Sequence, residues 1–208
     1  MEYGSGRKIY VTGALIAANV LYFLYLETAG SSENVMFMLE RGAMFAPAVL
    51  IGHEYYRLLT AMFMHFGIDH IINNMLVLFA LSNYLEPALG HIKFLILYLI
   101  SGIGSNVISM YISGMESGAV SAGASGAVFG VVGGLLYAVI ANRGRLEDLS
   151  TKQMVFMIVL SLYLGFTESG VDNVAHVSGL ILGIILGVIL YRRPRQDRNR
   201  EENDYERL

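Results

Sequence analysis

The stretch GLILGIILG, residues 179–187, places a glycine at every fourth position of an apolar run. Residues four apart share one face of a helix, so these glycines form a stripe without side chains. In a bilayer, stripes of small residues let two helix backbones approach closely. The stretch therefore predicts a membrane helix packed tightly on a partner. The packing would bring His176 near a second glycine-rich run, residues 123–134.

The composition is that of a membrane protein. The chain has 208 residues, of which 55% are hydrophobic and 15% charged, and its mean hydropathy is +0.54. A soluble domain carries about 25% charged residues. Because there is no cysteine, disulfides and thiolate chemistry are excluded. The net charge of -3 gives no reason to expect a nucleic-acid partner.

Six segments are apolar and long enough to be membrane spans, since about 20 apolar residues cross roughly 30 Å of hydrocarbon. They lie at about residues 10–28, 66–86, 92–112, 124–141, 153–168 and 173–191. The predicted fold class is all-α, a polytopic membrane domain over residues 1–191. The first run is too long for a signal peptide and lacks a clear cleavage site. Residues 192–208 form a charged tail that we expect to be disordered.

Lysine and arginine predict the orientation. Twelve of the 14 fall on the side shared by both termini, and only Arg41 and Arg57 fall on the other. The positive-inside rule then places both termini in the cytoplasm. We expect the membrane to be the cytoplasmic membrane. The longest connection, residues 29–65, is external. Its many Met, Phe and Leu residues predict an interfacial structure that leans on the bundle or dips into the bilayer.

The polar residues inside the spans share one depth. No Asp, Glu, Lys or Arg lies in the middle of a span, which disfavours an ion channel or a proton-coupled transporter. At 1.5 Å per helical residue, His70 and His176 lie roughly 24 Å, and Ser125 roughly 27 Å, above the cytoplasmic ends of their spans. If the helices are parallel, all three lie in the outer third of the membrane.

Ser125 stands in GASGAVFG, residues 123–130, and has two interpretations. The surrounding glycines suit close helix packing. Gly-x-Ser-Gly is also a common way to present a nucleophilic serine. The preceding residues are typical of a loop, so Ser125 begins a helix whose free N–H groups and positive dipole end suit a developing oxyanion. The fourth span by itself leaves both interpretations open.

The other polar groups at this depth also allow a structural or a catalytic interpretation. His176 is either a buried structural histidine or a general base for the serine hydroxyl. Asp172, four residues earlier, is expected at the aqueous rim rather than as a third catalytic residue. His70 and Asn74 share a helix face and are either interhelical hydrogen-bonding groups or donors to an oxyanion. Asn73 points elsewhere and is interpreted as structural.

Two other protease chemistries do not fit the residues. His53-Glu54 begins a zinc-protease motif, but Arg57 stands where the second metal ligand is needed. An intramembrane aspartyl protease needs two Asp residues within spans, and the predicted spans contain no such pair. The sequence therefore predicts no metal site and no cofactor.

Three blocks, in chain order, resemble motifs of the rhomboid family of intramembrane serine proteases. The blocks are HFGIDHIINN at 65–74, GASG at 123–126 and AHVSGLILG at 175–183. They resemble the family's His-x4-His-x3-Asn, Gly-x-Ser-Gly and Ala-His-x2-Gly-x3-Gly motifs, respectively. The likeness covers roughly residues 8–191.

The resemblance implies a six-helix core of the compact prokaryotic form, with a Ser125–His176 catalytic dyad and no third acid. The implied oxyanion hole consists of His70, Asn74 and the backbone N–H of Ser125. The resemblance also implies six supporting residues. His65, Gly123, Gly126 and Gly179 belong to the motifs, Phe129 lies one helical turn after the serine, and Glu86 lies at the end of the second span. The family's Trp-Arg pair of the external loop is replaced by Tyr56-Arg57, which predicts a different anchoring of that loop.

The implied substrates are single-span membrane proteins, cleaved within or beside a transmembrane helix that unwinds easily, toward the outer face. The lipid bilayer is the other partner, water is the second substrate, and no metal or nucleotide is implied. Motion of the fifth span or of residues 167–173 would admit the substrate. The alternative is a non-proteolytic rhomboid-like protein that binds transmembrane helices, although such relatives usually lack the serine or the histidine.

Overall fold

A computed structural model describes residues 8–114, 118–167 and 170–193. The predicted tail therefore lies almost wholly outside the described residues. Six helices of 17 to 23 residues lie in these ranges, each where an apolar run predicts one. In chain order the helices are α1 (Tyr10–Ala29), α2 (Val35–Glu40), α3 (Ala46–Leu50), α4 (Arg57–Thr60), α5 (Gly67–Leu89), α6 (His91–Ser109), α7 (Ser125–Ala141), α8 (Thr151–Thr167) and α9 (Asn173–Leu190).

The chain is a helical membrane protein. By length and composition, three helices in the described ranges can cross a membrane: α1, α9, and α6 with its π-helical extension to Ser113. The bent pair Arg57–Phe63 and Gly67–Leu89, at 90°, would make a fourth span. Helices α7 and α8 are apolar but have only 17 residues each, or roughly 26 Å of helix.

Two short antiparallel strand pairs depart from the all-helical prediction. Strand β1 (Met44–Phe45) pairs with β2 (Val120–Ser121), with Met44 opposite Ser121. Strand β3 (Arg145–Leu146) pairs with β4 (Leu149–Ser150) in the turn between α7 and α8. The β1–β2 pair ties the segment predicted to be external, residues 29–65 (the external segment), to the loop that leads into α7.

The external connection has its own structure, as its composition predicts. Helices α2, α3 and α4 and a 3-10 turn (Ala61–Phe63) occupy most of it. Arg57 is buried at its centre and donates to the carbonyls of Leu39 (2.6 Å) and Ala43 (2.8 Å). Its Nε also donates to Glu54, 2.6 Å away. Arg57 therefore holds this segment together from within.

The packing of the glycine stripe on the fourth long helix is confirmed. Helix α7 is buried along most of its length and packs on α5, α6 and α9. Glycines of α9 face glycines of α7 with a constant offset; the pairs are Gly179 with Gly126, Gly183 with Gly130, and Gly187 with Gly134. Because both numbers rise together, the two helices run parallel. Their backbones approach so closely that no side chain fits between them.

Glu86 fastens the opposite end of the bundle. Its buried carboxylate accepts hydrogen bonds from Val11 N (3.0 Å), Thr12 N (2.8 Å) and Thr12 Oγ1 (2.5 Å). His91 Nδ1 lies 2.6 Å from the same carboxylate. The first N–H groups of a helix have no partner within the helix, so Glu86 satisfies those of α1 and joins α1, α5 and α6.

Candidate active site

Ser125 is the first residue of α7, and no side chain caps this helix end. The loop before it is fixed by two hydrogen bonds: Gly123 N donates to Ala61 O at 2.9 Å, and Ala124 N donates to His65 Nε2 at 3.3 Å. Because no side chain caps the helix, the N–H groups of its first turn stay available. They also form the positive end of the helix dipole.

A cavity of about 710 Å³ lies above this helix end. Its wall contains the four residues predicted for the catalytic dyad and the oxyanion hole, namely His70, Asn74, Ser125 and His176. The predicted supporting residues Gly123 and Gly126 line it as well. Residues of the external segment, α6, the loop 120–123, α8, the segment 170–172 and the start of α9 also line it. The structure thus brings together side chains from α5, α7 and α9 that are up to 106 positions apart in the chain.

His176 lies against the first turns of α7. The glycine pairing sets its level, because His176 lies about one helical turn before Gly179, which faces Gly126. Its ring stacks on Phe129, with 4.5 Å between centroids and 21° between planes. Its Nδ1 is buried and has no hydrogen-bond partner among the described residues. A Cβ on Gly165 of α8 would lie 3.6 Å from this nitrogen, so Nδ1 faces α8.

No direct hydrogen bond joins the Ser125 hydroxyl to the His176 ring in the described part of the chain. Both side chains nevertheless line the same cavity. Catalytic hydrogen bonds are often long before substrate binds, so this geometry leaves the pair able to act together.

Gly123 creates the room in which His70 and Ser125 meet. Its φ of +152° belongs to a backbone region that favours glycine. A Cβ there would lie 3.0 Å from His70 Nε2 and 3.6 Å from Ser125 Oγ. Asn74 donates one amide hydrogen to the carbonyl of His70, 3.0 Å away, and keeps a second.

His65 supports the site from below the loop. It is fully buried, and its ring meets that of His70 edge-on, 5.1 Å between centroids and 75° between planes. Because it also accepts from Ala124 N, it connects the His70 ring with the residue that precedes the serine.

Asn73, for which the sequence favours a structural interpretation, lines the same cavity as Ser125. A second cavity, of about 190 Å³, lies between α5, α7 and α8, and four residues line both cavities: Asn73, Asn74, Ser125 and Ser161. The signal in the sequence is an amide within a predicted membrane span, which is unfavourable unless it meets water or a partner.

Sequence reasoning gave Asp172 no function in the site, and it gave none to Ser109 or Asn106. The structure places Asp172 and Asn106 on the cavity wall and joins Asp172 to Ser109. No group of three or more His, Asp or Glu side chains that could hold a metal occurs within residues 8–114, 118–167 and 170–193.

A model of the rhomboid domain matches residues 52–193, a range that includes all the motif residues described above. The chain belongs to the rhomboid family. Among its relatives, Rhomboid protease GluP of Bacillus subtilis is 35% identical over 192 residues, which is 90% of this chain and 36% of that protein.

Other rhomboid relatives come from eukaryotes. RHOMBOID-like protein 2 of Arabidopsis thaliana is 37% identical over 159 residues, covering 74% of this chain and 48% of that protein. Rhomboid-like protease 3 of Toxoplasma gondii is 30% identical over 192 residues, covering 91% of this chain and 70% of that protein. This rhomboid chain spans only 36% to 50% of the length of the GluP protein and the first Arabidopsis relatives.

Proposed function

We propose that this rhomboid-family protein is an intramembrane serine endopeptidase that cleaves single-span membrane proteins within or beside their transmembrane helix. The observation that carries the proposal is one cavity lined by Ser125, His176, His70 and Asn74. A hydroxyl, an imidazole and a set of hydrogen-bond donors in one cavity are the groups that acyl transfer requires.

In the proposed reaction, Ser125 Oγ attacks the scissile carbonyl carbon while His176 takes the hydroxyl proton. His176 then gives that proton to the leaving amine, and water releases the acyl group from the serine in the second half-reaction. Nδ1 faces α8 and is buried, so Nε2 is the nitrogen assigned to the proton transfer. Stacking on Phe129 holds the ring plane in place of a hydrogen bond at Nδ1.

The developing oxyanion would be stabilised by groups that are already in position. The uncapped N–H of Ser125 points out of the end of α7, and the second amide hydrogen of Asn74 and the ring of His70 border the same cavity. Donors fixed before the reaction need no reorganisation when the charge forms, which is why such arrangements accelerate acyl transfer.

The same cavity supports access for water. Irregular backbone at membrane depth is tolerated where it lines a wet cavity or is buried in protein, and the residues before α7 form part of the cavity wall. In the proposed topology all six long helices are spans of the cytoplasmic membrane, both termini are cytoplasmic and the cavity opens outward. The asymmetry of the arginine and lysine residues supports this orientation.

The smaller cavity supports a route from the bilayer. It is mainly apolar, and it reaches Ser125 between α5 and α8, two helices that barely contact each other. In the proposal, a substrate helix enters there and unwinds, so that its backbone passes from the smaller cavity into the larger one. Residues Asn73 and Ser161, which line both cavities, would meet the exposed backbone groups.

The decisive experiment reconstitutes the purified chain in liposomes with a fluorescent single-span substrate. The wild type should cleave it, and Ser125→Ala and His176→Ala should lower the rate at least 1,000-fold, on the order expected for loss of a member of such a catalytic unit. A serine-directed fluorophosphonate should label the wild type and leave Ser125→Ala unlabelled. If the wild type neither cleaves nor reacts, the proposed activity is wrong.

The second candidate is a non-proteolytic protein that binds transmembrane helices, favoured by the missing Ser125–His176 hydrogen bond. It predicts that a substrate helix is captured equally well by the wild type and by Ser125→Ala, with no cleavage by either. The same liposomes, analysed for both capture and product, separate the two functions.

A further inference from the structure

Asp172 joins two helices beside the cavity. Its carboxylate accepts from Ser109 Oγ, which lies 2.8 Å from Oδ1 and 2.6 Å from Oδ2. Oδ1 also accepts from Ala175 N at 2.9 Å and so caps the start of α9. Ser109 is buried and is the last α-helical residue of α6. One side chain thus fastens the end of α6 to the start of α9.

This bond adds to the glycine packing on α7 in holding the first turn of the helix that bears His176. The buried Nδ1 of His176 has no hydrogen-bond partner among the described residues, so no acid orients the imidazole directly. Ring stacking on Phe129 sets the tilt of the plane. The distance of the ring from Ser125 consequently depends on where the first turn of α9 is held.

The partner helix is itself held at this level. Asn106, one turn before Ser109, donates to Leu58 O at 2.9 Å, which ties α6 to the external segment. Beyond Ser109 the helix continues as a π-helical turn, Met110–Gly114. Ser109 therefore lies between the anchored turn at Asn106 and the π-helical turn at which the regular α-helix ends.

We propose that Asp172 is a positioning residue of this site: through Ser109 and the cap of α9, it holds His176 at the distance from which it reaches Ser125. The inference rests on the proposed protease function. Asp172 does not share the proton and is not a third member of a triad, because its oxygens are bonded to Ser109 and to the helix end instead of to the imidazole.

Three variants separate positioning from capping and from charge. Ser109→Ala removes the contact between helices and keeps the cap. Asp172→Ala removes both, and Asp172→Asn keeps an acceptor for the cap and a partner for Ser109 without the charge. Misplacing a reacting group by about 1 Å lowers a rate on the order of 100-fold. We expect kcat to fall roughly 10- to 100-fold in Asp172→Ala and several-fold in Ser109→Ala, with KM nearly unchanged in both.

The charge is tested by the pH profile of kcat. The titratable groups that interact electrostatically with His176 in the described ranges are Asp172 and His70. A positioning role predicts that Asp172→Asn restores most of the maximal kcat, even though loss of the nearby charge moves the pH profile. An Asp172→Asn variant as slow as Asp172→Ala at every pH would overturn the proposal, because the carboxylate would then act by its charge.

Matched controls are available on the opposite side of the bundle. Asp148→Asn changes an acid bonded to Tyr84 near the cytoplasmic ends, and Ser82→Ala changes a buried serine of α5; both should keep the wild-type kcat. Fluorophosphonate labelling and thermal unfolding are followed for every variant. If the wild type cleaves and the Asp172 and Ser109 variants match it, the positioning role is wrong while the protease function stands. A wild type that is neither labelled nor active overturns both.

Discussion

His176 and Phe129 form a stacked pair, with 4.5 Å between ring centroids and 21° between planes, although 47 positions separate them in the chain. Phe129 stands one helical turn after Ser125 on α7, so the stack ties the imidazole to the helix that presents the hydroxyl. This contact fixes the imidazole of α9 relative to the first turn of α7.

Replacing Phe129 with Leu should impair the chemistry more than the fold. Aromatic pairs contribute about 0.5–1.5 kcal/mol beyond area burial, so we expect the cleavage rate and the fluorophosphonate labelling rate to fall roughly 2- to 10-fold. The control is Phe156→Leu on the exposed face of α8, which should leave both rates unchanged. Equal labelling rates in wild type and Phe129→Leu would show that the stack does not position the base.

Gly179→Ala should destabilise the bundle. An added Cβ would lie 3.0 Å from the carbonyl carbon of Gly126, and backbone cannot move aside as a flexible side chain can. Overpacking of this kind costs about 1–3 kcal/mol, and the separation of α7 from α9 should lower activity as well. Thermal unfolding in detergent gives the measurement. Gly13→Ala, where a Cβ would meet nothing within 4 Å, should unfold like the wild type.

Glu86→Ala should lower stability without altering the chemistry. The substitution leaves the buried N–H of Thr12 and the part-buried N–H of Val11 without their acceptor, and the loss at a buried donor costs about 1–3 kcal/mol. We expect a clearly lower unfolding temperature but a wild-type rate of fluorophosphonate labelling at low temperature. Glu40→Gln, at an exposed position, is the control. A large loss of labelling in a folded Glu86→Ala protein would contradict a purely structural role.

The external segment should lose stability in acid through Glu54. Hydrogen bonds from Arg57 and Tyr56 hold the pKa of the Glu54 carboxyl below its ordinary value of 4.5. Because the folded state binds the proton more weakly than the unfolded state, the contact stabilises the segment above pH 4.5 and is lost as the pH falls through the folded pKa. Hydrogen exchange of residues 35–63 at pH 7 and pH 3.5 measures the effect.

Glu54→Gln provides the comparison for that experiment. It should exchange faster than the wild type at pH 7, because the ionised partner of Arg57 is gone, and the difference between the two proteins should be smaller at pH 3.5. A constant difference between them at both pH values would show that Glu54 ionisation does not stabilise the segment.

The positions of the long helices were predictable because their signal is local. Runs of about 20 apolar residues must satisfy their backbone within one helix in lipid, so each predicted run became a helix with ends within a few residues of the prediction. The glycine stripe at 179–187 was also sufficient to predict tight packing of α9, since a face without side chains has one obvious use in a membrane.

The surroundings of the candidate site were less predictable, because they depend on contacts between distant segments. Asn73 and Asn74 both line the two cavities, and this follows from how α8 lies against α5 and α7 rather than from the sequence around them. The fold of the external segment depends on the buried Arg57, which donates to two backbone carbonyls. Because every sequence possesses such carbonyls, these contacts leave no pattern in the sequence. Two-residue strands such as β1 and β2 carry no periodic pattern to detect.

The sequence by itself determined a glycine-striped helical membrane protein with a serine at a helix start and a histidine at the same depth, because hydropathy, helical period and motif spacing are all written along the chain. Only the tertiary structure decided that His176 stacks on Phe129, that its Nδ1 meets no acid and that Asp172 reaches Ser109 instead. Those facts depend on the angle and register at which separate helices pack, and these are set by the joint fit of many side chains rather than by any one stretch.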